Sequence, residues 1–208
     1  VDKATNGRVG YIYIPDMGPE GLNEFSRYFY PQLNKEGLII DDRANGGGNV
    51  SPMILERLSR EPYRLTMRRG SARIGTVPDA VQVGPKVCLI NKYSASDGDL
   101  FPWGFRALGL GKLIGTRTWG GIVGISGSLP YMDGTDIRVP FFTSFDPKTG
   151  SWIIENHGVD PDILIDNDPV KEWNGEDQQL DRAIQEVMKE LQDRKPLPGV
   201  PTPRDFSK

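Results

Sequence analysis

The chain has 208 residues, of which 25 are basic and 28 acidic, giving a formal net charge of −3. This length is typical of a single domain and excludes two large ones. The near balance of charge excludes a general attraction to nucleic acid, and no apolar run approaches the ~18 residues of a membrane-spanning helix. We therefore expect no nucleic acid and no membrane among its partners.

The single cysteine, Cys88, lies in an apolar run and has no other cysteine with which to form an internal disulfide. One cysteine and one histidine leave no set of residues with convincing metal-ligand spacing, so we predict no metal and no cofactor. A chain without disulfides is typical of a reducing compartment, and residues 1–8 have no apolar segment of the kind found in secretory signals. We therefore expect a cytoplasmic location.

The first part of the chain alternates strand and helix patterns. Residues 9–14 are β-branched and aromatic, which predicts a buried strand. The apolar spacing of residues 22–33 predicts a helix with a kink at Pro31. Residues 38–41 predict the next strand. The glycine-rich turn 42–48 then leads into apolar positions over 50–58 that are spaced for an amphipathic helix.

The same order repeats in the middle of the chain. Residues 63–67, 86–90 and 112–115 predict strands, and a helix is predicted from about 97 to 110. Alternation of strands and helices with short connections indicates an α/β protein with a mostly parallel sheet covered by helices. The basic cluster between Arg64 and Arg73 is more typical of a solvated strand edge than of a polyanion site.

Residues 126–152 have a different character. Two β-rich runs, 129–132 and 137–145, are joined by Asp133-Gly134, and an Asp-Gly dipeptide is a strong hairpin signal. We therefore predict an antiparallel β excursion from the parallel sheet.

The last clear element is a helix with an apolar stripe from Leu180 to Leu191. After Arg194 four prolines occur within a few residues, which predicts an extended segment. We therefore divide the chain into one domain, 1–193, and a proline-rich tail, 194–208.

Ser96 lies between a predicted buried strand and a predicted helix. A helix amino terminus presents unpaired N–H groups and a partial positive charge, which would stabilise an alkoxide or an oxyanion. The sequence from Ser96 to Asp99 also fits a capping serine with an acidic residue at the third helical position, which requires no catalysis. From the residues alone, the capping interpretation is the stronger of the two.

The turn Asn45–Gly48 is similarly open to two interpretations. Three glycines allow backbone amides to approach a substrate closely, or form a sharp turn between strand and helix. The turn lacks the Gly-Lys-Ser/Thr ending of a P-loop and the GxGxxG spacing of a dinucleotide site. The only histidine, His157, is a candidate base with Glu155 beside it, but a lone histidine in a polar turn is usually exposed and incidental.

Four segments are informative as a set: DRANGGG (42–48), NKYSASDGD (91–99), GTRTWGG (115–121) and ENHGVDPD (155–162). In this order they resemble the carboxy-terminal catalytic domain of the tricorn protease family, which is related to the tail-specific, carboxy-terminal processing proteases. The resemblance spans about residues 9–193. It implies a serine peptidase on a crotonase-like α/β core.

The resemblance also implies roles for individual residues. Ser96 corresponds to the family's nucleophile, and the backbone amide of Asp97 to one donor of the oxyanion hole. A glycine of the Asn-Gly-Gly-Gly turn corresponds to the other donor, and we choose Gly47. Glu155 matches a glutamate that a second serine links to the catalytic histidine in this family.

One departure from the family pattern is important. The family's histidine lies in a small helical domain upstream of the catalytic domain, separated from it by a PDZ domain, and neither is present in these 208 residues. His157 occupies a variable position of its motif and does not correspond to that base. We therefore expect the base to come from an upstream segment, and the isolated chain to have little activity.

The resulting hypothesis is a peptidase that hydrolyses oligopeptides through an acyl-enzyme at Ser96, with peptides as substrates. Self-association is expected from the resemblance, because tricorn assembles as a hexamer. The alternative is a noncatalytic peptide-binding or assembly module on the same core. Acyl-CoA chemistry is a third class, but the sequence has no obvious basic site for the CoA phosphates.

Overall fold

The computed structural model describes residues 1–71 and 73–202, without the side chains of residues 126–129. Two short 3₁₀ turns, Lys3–Thr5 and Tyr30–Gln32, accompany the strands and helices. The elements in chain order are β1 (Val9–Tyr13), α1 (Pro19–Phe29), β2 (Gly37–Asp41), α2 (Ser51–Leu58), β3 (Arg64–Met67), β4 (Ile74–Val77), β5 (Lys86–Ile90), α3 (Asp97–Ala107), β6 (Gly111–Gly115), β7 (Gly124–Pro130), β8 (Asp136–Phe142), β9 (Ile163–Leu164), α4 (Pro169–Trp173) and α5 (Gln178–Gln192).

The central sheet has five strands in the order β1-β2-β5-β6-β9, and every neighbouring pair is parallel. All residues of β2 and β5 are buried, as expected for central strands covered on both faces. This arrangement confirms the predicted α/β class with a mostly parallel sheet flanked by helices.

Helices cover both faces of the sheet. On one face, α1, α2 and α3 contribute Phe25, Ile54 and Phe101 to a core that includes Ile40 and Cys88 of the sheet. On the other face, α5 packs its apolar stripe against residues of β2 and β5. The periodicity of residues 180–191 therefore identified the helix that covers the second face.

Two hairpins lie outside the central sheet. Strands β7 and β8 form the antiparallel excursion that Asp133-Gly134 predicted, with Tyr131 N–H donating to Thr135 O across the turn. The predicted strand 63–67 is present as β3, but it pairs with β4, which the sequence analysis missed. Most of the basic cluster lies in this hairpin, in agreement with its interpretation as a strand edge.

Other differences concern the ends of elements and short elements. The predicted helix 22–33 ends as an α-helix at Phe29 and continues as a 3₁₀ turn that contains Pro31, which has no N–H for an α-helical bond. Strand β9 and helix α4 were not predicted, because two and five residues are too short for a periodic pattern. No described helix is long and apolar enough to cross a membrane.

The proline-rich tail has no helix or strand in its described part, up to residue 202. Its Pro198–Pro201 segment and the β3–β4 hairpin line a cavity of about 330 Å³. The division into a domain 1–193 and a tail 194–208 stays a prediction, and residues 203–208 lie outside the described part of the chain.

Lys86 is a buried amine at the amino end of β5, with only 8% of its surface exposed. Its Nζ donates hydrogen bonds to Gln82 O at 2.9 Å and Gly84 O at 3.3 Å. Burial lowers the pKa of Lys86 from 10.5 to about 8. The side chain lines a cavity of about 350 Å³ that also includes Glu61 and Leu197.

We expect this lysine to make stability depend on pH. The unfolded chain protonates Lys86 below pH 10.5, whereas the folded protein does so only below about pH 8. The free energy of unfolding should therefore rise between about pH 8 and 10.5, by about 3 kcal/mol. Urea unfolding of the wild type and of Lys86→Met across this window measures the difference. If the free energies of unfolding of the wild type and of Lys86→Met changed in parallel with pH, the prediction would be contradicted. Lys171→Met, at an exposed lysine, is the control.

Candidate active site

The candidate site lies where two neighbouring parallel strands end. The turn 42–48 follows β2 and the turn 91–96 follows β5, at the carboxyl edge where ligands bind in open α/β sheets. The two turns are bonded directly: Ala95 N–H donates to Asn45 O at 2.8 Å, and Ser94 Oγ donates to Asp42 O at 2.8 Å. Two of the predicted motifs therefore form one structural unit.

Ser96 occupies the residue before α3 in a strained backbone conformation. Its φ of 56° and ψ of −119° lie outside the helical and extended regions, and a positive φ is uncommon for a residue with a side chain. Its side chain makes no capping hydrogen bond to the first turn of α3. The capping interpretation of Ser96 is therefore wrong, and a serine at a sharp strand-to-helix turn is typical of an exposed nucleophile.

Asp97 begins α3, and its backbone and side chain have separate surroundings. Its N–H belongs to the first turn of the helix, and no described residue accepts a hydrogen bond from it. Its buried carboxylate accepts hydrogen bonds from Ser51 N–H and Ser51 Oγ at the start of α2. The side chain therefore fixes α3 to α2, while the backbone amide remains available beside Ser96.

Gly47 lies directly against the turn that contains Ser96. A Cβ on Gly47 would lie 2.7 Å from Ser96 Cβ, 2.8 Å from Ala95 O and 2.9 Å from Asp97 N. Its φ of 98° also favours glycine. The Gly47 N–H donates to Asn45 Oδ1 at 2.9 Å, so it must be shared with that oxygen if it is to serve as an oxyanion donor.

Two buried carboxyl groups lie in the same region. Burial raises the pKa of Asp42 well above its ordinary value, and the nearby carboxylates of Asp41, Asp97 and Asp99 raise it further. Neither carboxyl oxygen of Asp42 has a hydrogen-bond partner among the described residues. Burial also raises the pKa of Asp99, although the Gly120 amide, which donates to its Oδ1 at 2.7 Å, favours the ionised form.

Glu155 is held by the segment that follows β6. Its Oε2 accepts hydrogen bonds from Ile122 N–H at 2.7 Å and Val123 N–H at 2.9 Å. No described residue donates to its other carboxylate oxygen. The same segment is bonded to α3 through Gly120 and Asp99, so Glu155 is connected to the helix that follows Ser96.

His157 bonds to Asp160 and not to Ser96. Its Nε2 lies 2.7 Å from Asp160 Oδ2, and about half of its side chain is exposed. Asp160 also pairs with Arg117. Since no described residue forms a hydrogen bond with Ser96 Oγ, the structure does not bring His157 and Ser96 together as a catalytic pair.

Arg43, in the first of the four sequence motifs, forms ion pairs that join two elements of the fold. Its guanidinium binds the Asp41 carboxylate at 2.6 Å and the Asp177 carboxylate at 2.8 Å. Asp177 caps α5 by accepting from Leu180 N–H. This ion pair therefore joins the end of β2 to the start of the helix on the second face.

Comparison with known proteins identifies the family. Residues 8–165 match peptidase family S41. The chain belongs to peptidase family S41. The tricorn protease of Thermoplasma volcanium is 46% identical over 195 residues, covering 92% of this chain and 18% of the relative. The tricorn protease homolog of Saccharolobus solfataricus is 41% identical over 193 residues, with the same coverage of 92% and 18%.

The crystal structure of the tricorn protease superposes with a TM-score of 0.84 at 42% identity, covering 92% of this chain and 18% of that one. The sequence-based resemblance to this family is therefore confirmed. This S41 chain spans about a fifth of the length of the curated relatives it matches.

Three contacts that position this S41 site are not apparent from the sequence. Asn45 joins the two turns, Asp99 bonds to Gly120, and the Asp97 side chain joins α3 to α2. The sequence predicts for Asp99 only the acidic position of a capping box. Its carboxylate instead bonds a segment twenty-one residues later in the chain, which no local pattern could indicate.

Proposed function

We propose that this chain is the nucleophile-bearing domain of a serine peptidase that hydrolyses peptide bonds in oligopeptides through an acyl-enzyme at Ser96. The observation that carries the proposal is the strained turn at Ser96, which lies beside Gly47 and the Asp97 amide. Ser96 Oγ has no hydrogen-bond partner among the described residues. Membership of an S41 peptidase family supports this assignment.

In the proposed reaction, Ser96 Oγ attacks the carbonyl carbon of the scissile bond as its proton passes to a base. The carbonyl oxygen becomes an oxyanion that accepts hydrogen bonds from Asp97 N–H and from Gly47 N–H shared with Asn45 Oδ1. The base then gives the proton to the leaving nitrogen, the C–N bond breaks, and an ester at Ser96 remains. Water hydrolyses this ester and restores the hydroxyl.

The proposed base is a histidine from a segment outside this chain. The only histidine here, His157, is bonded to Asp160. Glu155 has one carboxylate oxygen held by two amides, and the other has no donor among the described residues. Such a fixed carboxylate could orient a histidine through an intervening serine, the role that the family resemblance implies for Glu155.

The assembly and location of the protein are part of the same proposal. The relatives named as proteases support action on peptides. The homo-oligomer, a hexamer in the tricorn family, is what the family resemblance implies. The single, fully buried Cys88 supports a cytoplasmic location, because the chain does not depend on disulfides.

Labelling with a fluorophosphonate, which reacts with activated serine hydroxyls, tests the proposal. We expect slow labelling of Ser96 in this chain alone and a rate increase of at least about tenfold when imidazole, or the histidine-bearing segment, is added to supply a base. Ser96→Ala should remove all labelling. His157→Ala should label like the wild type, because His157 is not the base.

A lack of labelling under every condition would contradict the peptidase proposal and favour the noncatalytic binding module. Efficient peptide cleavage by the chain alone, at about 1 s⁻¹ or faster, would contradict the external base if Ser96→Ala abolished it. Loss of labelling in His157→Ala would instead assign the base to His157.

A further inference from the structure

We infer that Trp119 forms a subsite for an apolar side chain of the peptide substrate, within a few residues of the scissile bond. The inference rests on the proposed function, because it adds a side-chain preference to the site at Ser96. Trp119 lies in the segment after β6 that forms hydrogen bonds with both Asp99 of α3 and Glu155. No step of the proposed reaction uses Trp119.

Two hydrogen bonds fix the position of Trp119. Its N–H donates to Ser94 O at 2.9 Å, and the next amide, Gly120 N–H, donates to Asp99 Oδ1 at 2.7 Å. Ser94 is two residues before Ser96, so the Trp119 nitrogen lies no more than about 11 Å from Ser96 Cα. An extended peptide advances about 3.3 Å per residue, so side chains near the scissile bond are within this range.

The indole is fixed on one side and exposed on the rest. A Cβ on Gly121 would lie 2.2 to 2.8 Å from three atoms of the six-membered ring, so the ring packs on the Gly121 backbone. Even so, 66% of the Trp119 surface is exposed. A large aromatic ring that is positioned but not covered is typical of a binding site, because its burial by a ligand costs little conformational entropy.

The chemistry around the ring favours an apolar occupant. Ile122 and Val123 follow Trp119 in the same segment, and Val123 is partly exposed. The nearby Arg117 is paired with Asp160, and the Glu155 carboxylate is bonded by the Ile122 and Val123 amides. The exposed face of the Trp119 indole is therefore the main surface of this segment that remains free to bind a ligand. Methyl and methylene groups of a substrate would exclude water from this face, which favours binding.

The test measures peptide binding to Ser96→Ala, which cannot cleave the peptides. Capped hexa-alanine peptides carry one norleucine at each position in turn, and binding is followed by NMR through the backbone amide resonances of Gly120 and Gly121, which every variant retains. Norleucine at one position should strengthen binding about tenfold over alanine, because about half of its three additional methylenes would be buried. Lysine at that position, which has the same four-carbon chain ending in an ammonium group, should gain less than twofold.

Trp119→Ala in the same background should reduce the norleucine gain to less than twofold, whereas Trp119→Phe should keep more than half of it. Trp173→Ala is the control, since Trp173 is 90% exposed on α4. Thermal unfolding checks that each variant folds, and Trp119→Gln replaces Trp119→Ala if the latter is unstable.

Three results would overturn the inference. The first is a gain in affinity from norleucine that persists in Trp119→Ala, the second is a gain from lysine larger than that from norleucine, and the third is no measurable binding of any norleucine peptide. These affinities do not require a reactive serine. Failure of Ser96 labelling in the wild type would therefore contradict the proposed reaction alone, and failure of the norleucine preference would contradict the subsite alone.

Discussion

Gly47→Ala is expected to weaken binding of a tripeptidyl boronic acid by about 10²- to 10³-fold. Such a compound forms a tetrahedral adduct on a serine and requires a formed oxyanion hole, whose disruption costs about this much in serine peptidases. The new methyl group would lie within 3 Å of Ser96 Cβ, Ala95 O and Asp97 N, in a backbone conformation with φ of 98°. Two of these atoms are backbone, so the turns themselves must move.

Gly46→Ala provides the matched control in the same turn. Nothing lies within 4 Å of the position its Cβ would occupy. We expect boronic acid affinity within about twofold of the wild type and an unchanged midpoint of thermal unfolding. Equal losses in the two variants would show that the turn tolerates no change at all, and an unaffected Gly47→Ala would remove Gly47 from the oxyanion hole.

The periodic parts of the fold could be predicted from sequence because each is determined locally. The apolar runs of β2 and β5 and the stripe of α5 show which residues are buried before any contact is known. Short elements such as β9 could not be predicted, since its two residues pair with β6 only after the rest of the sheet has formed. Element ends were displaced as well: the predicted helix 97–110 ends at Ala107, and the predicted β-rich run 137–145 ends as a strand at Phe142.

The candidate site was predictable only in part. Local sequence placed Ser96 at a strand-to-helix junction and favoured a cap, because the φ and ψ of Ser96 and the absence of a capping bond are not visible in the sequence. The same limit applies to Gly47, whose approach to Ser96 joins residues almost fifty positions apart. Contacts between distant turns leave no periodic pattern in a single sequence.

Asp99→Ala is expected to reduce boronic acid affinity by about 10²-fold, although Asp99 touches neither Ser96 Oγ nor the proposed oxyanion. Its fully buried carboxyl group accepts the Gly120 N–H at 2.7 Å, and Gly120 O in turn accepts the Asn156 N–H at 2.7 Å, next to Glu155. Removing the carboxyl leaves a buried amide unpaired and releases the segment from α3. A displacement of about 1 Å at a catalytic site can cost this factor.

Asp99→Asn separates the hydrogen bond from the charge. The amide oxygen can still accept from Gly120 N–H, and burial raises the pKa of Asp99, which already disfavours the ionised form. We therefore expect Asp99→Asn to lose less than about tenfold. Asp160→Ala, at an exposed aspartate bonded to His157, is the control and should bind like the wild type.

Hydrogen exchange of the Gly120 amide distinguishes positioning from a general loss of stability. In Asp99→Ala this amide should exchange faster while amides of β2 and β5 keep their protection, because the sheet does not depend on this bond. Equal losses of boronic acid affinity in Asp99→Asn and Asp99→Ala would show that the negative charge is required. Asp99 would then act on the electrostatics of the Ser96 turn as well as on its geometry. Unchanged Gly120 exchange in Asp99→Ala would exclude Asp99 as the link between α3 and Glu155.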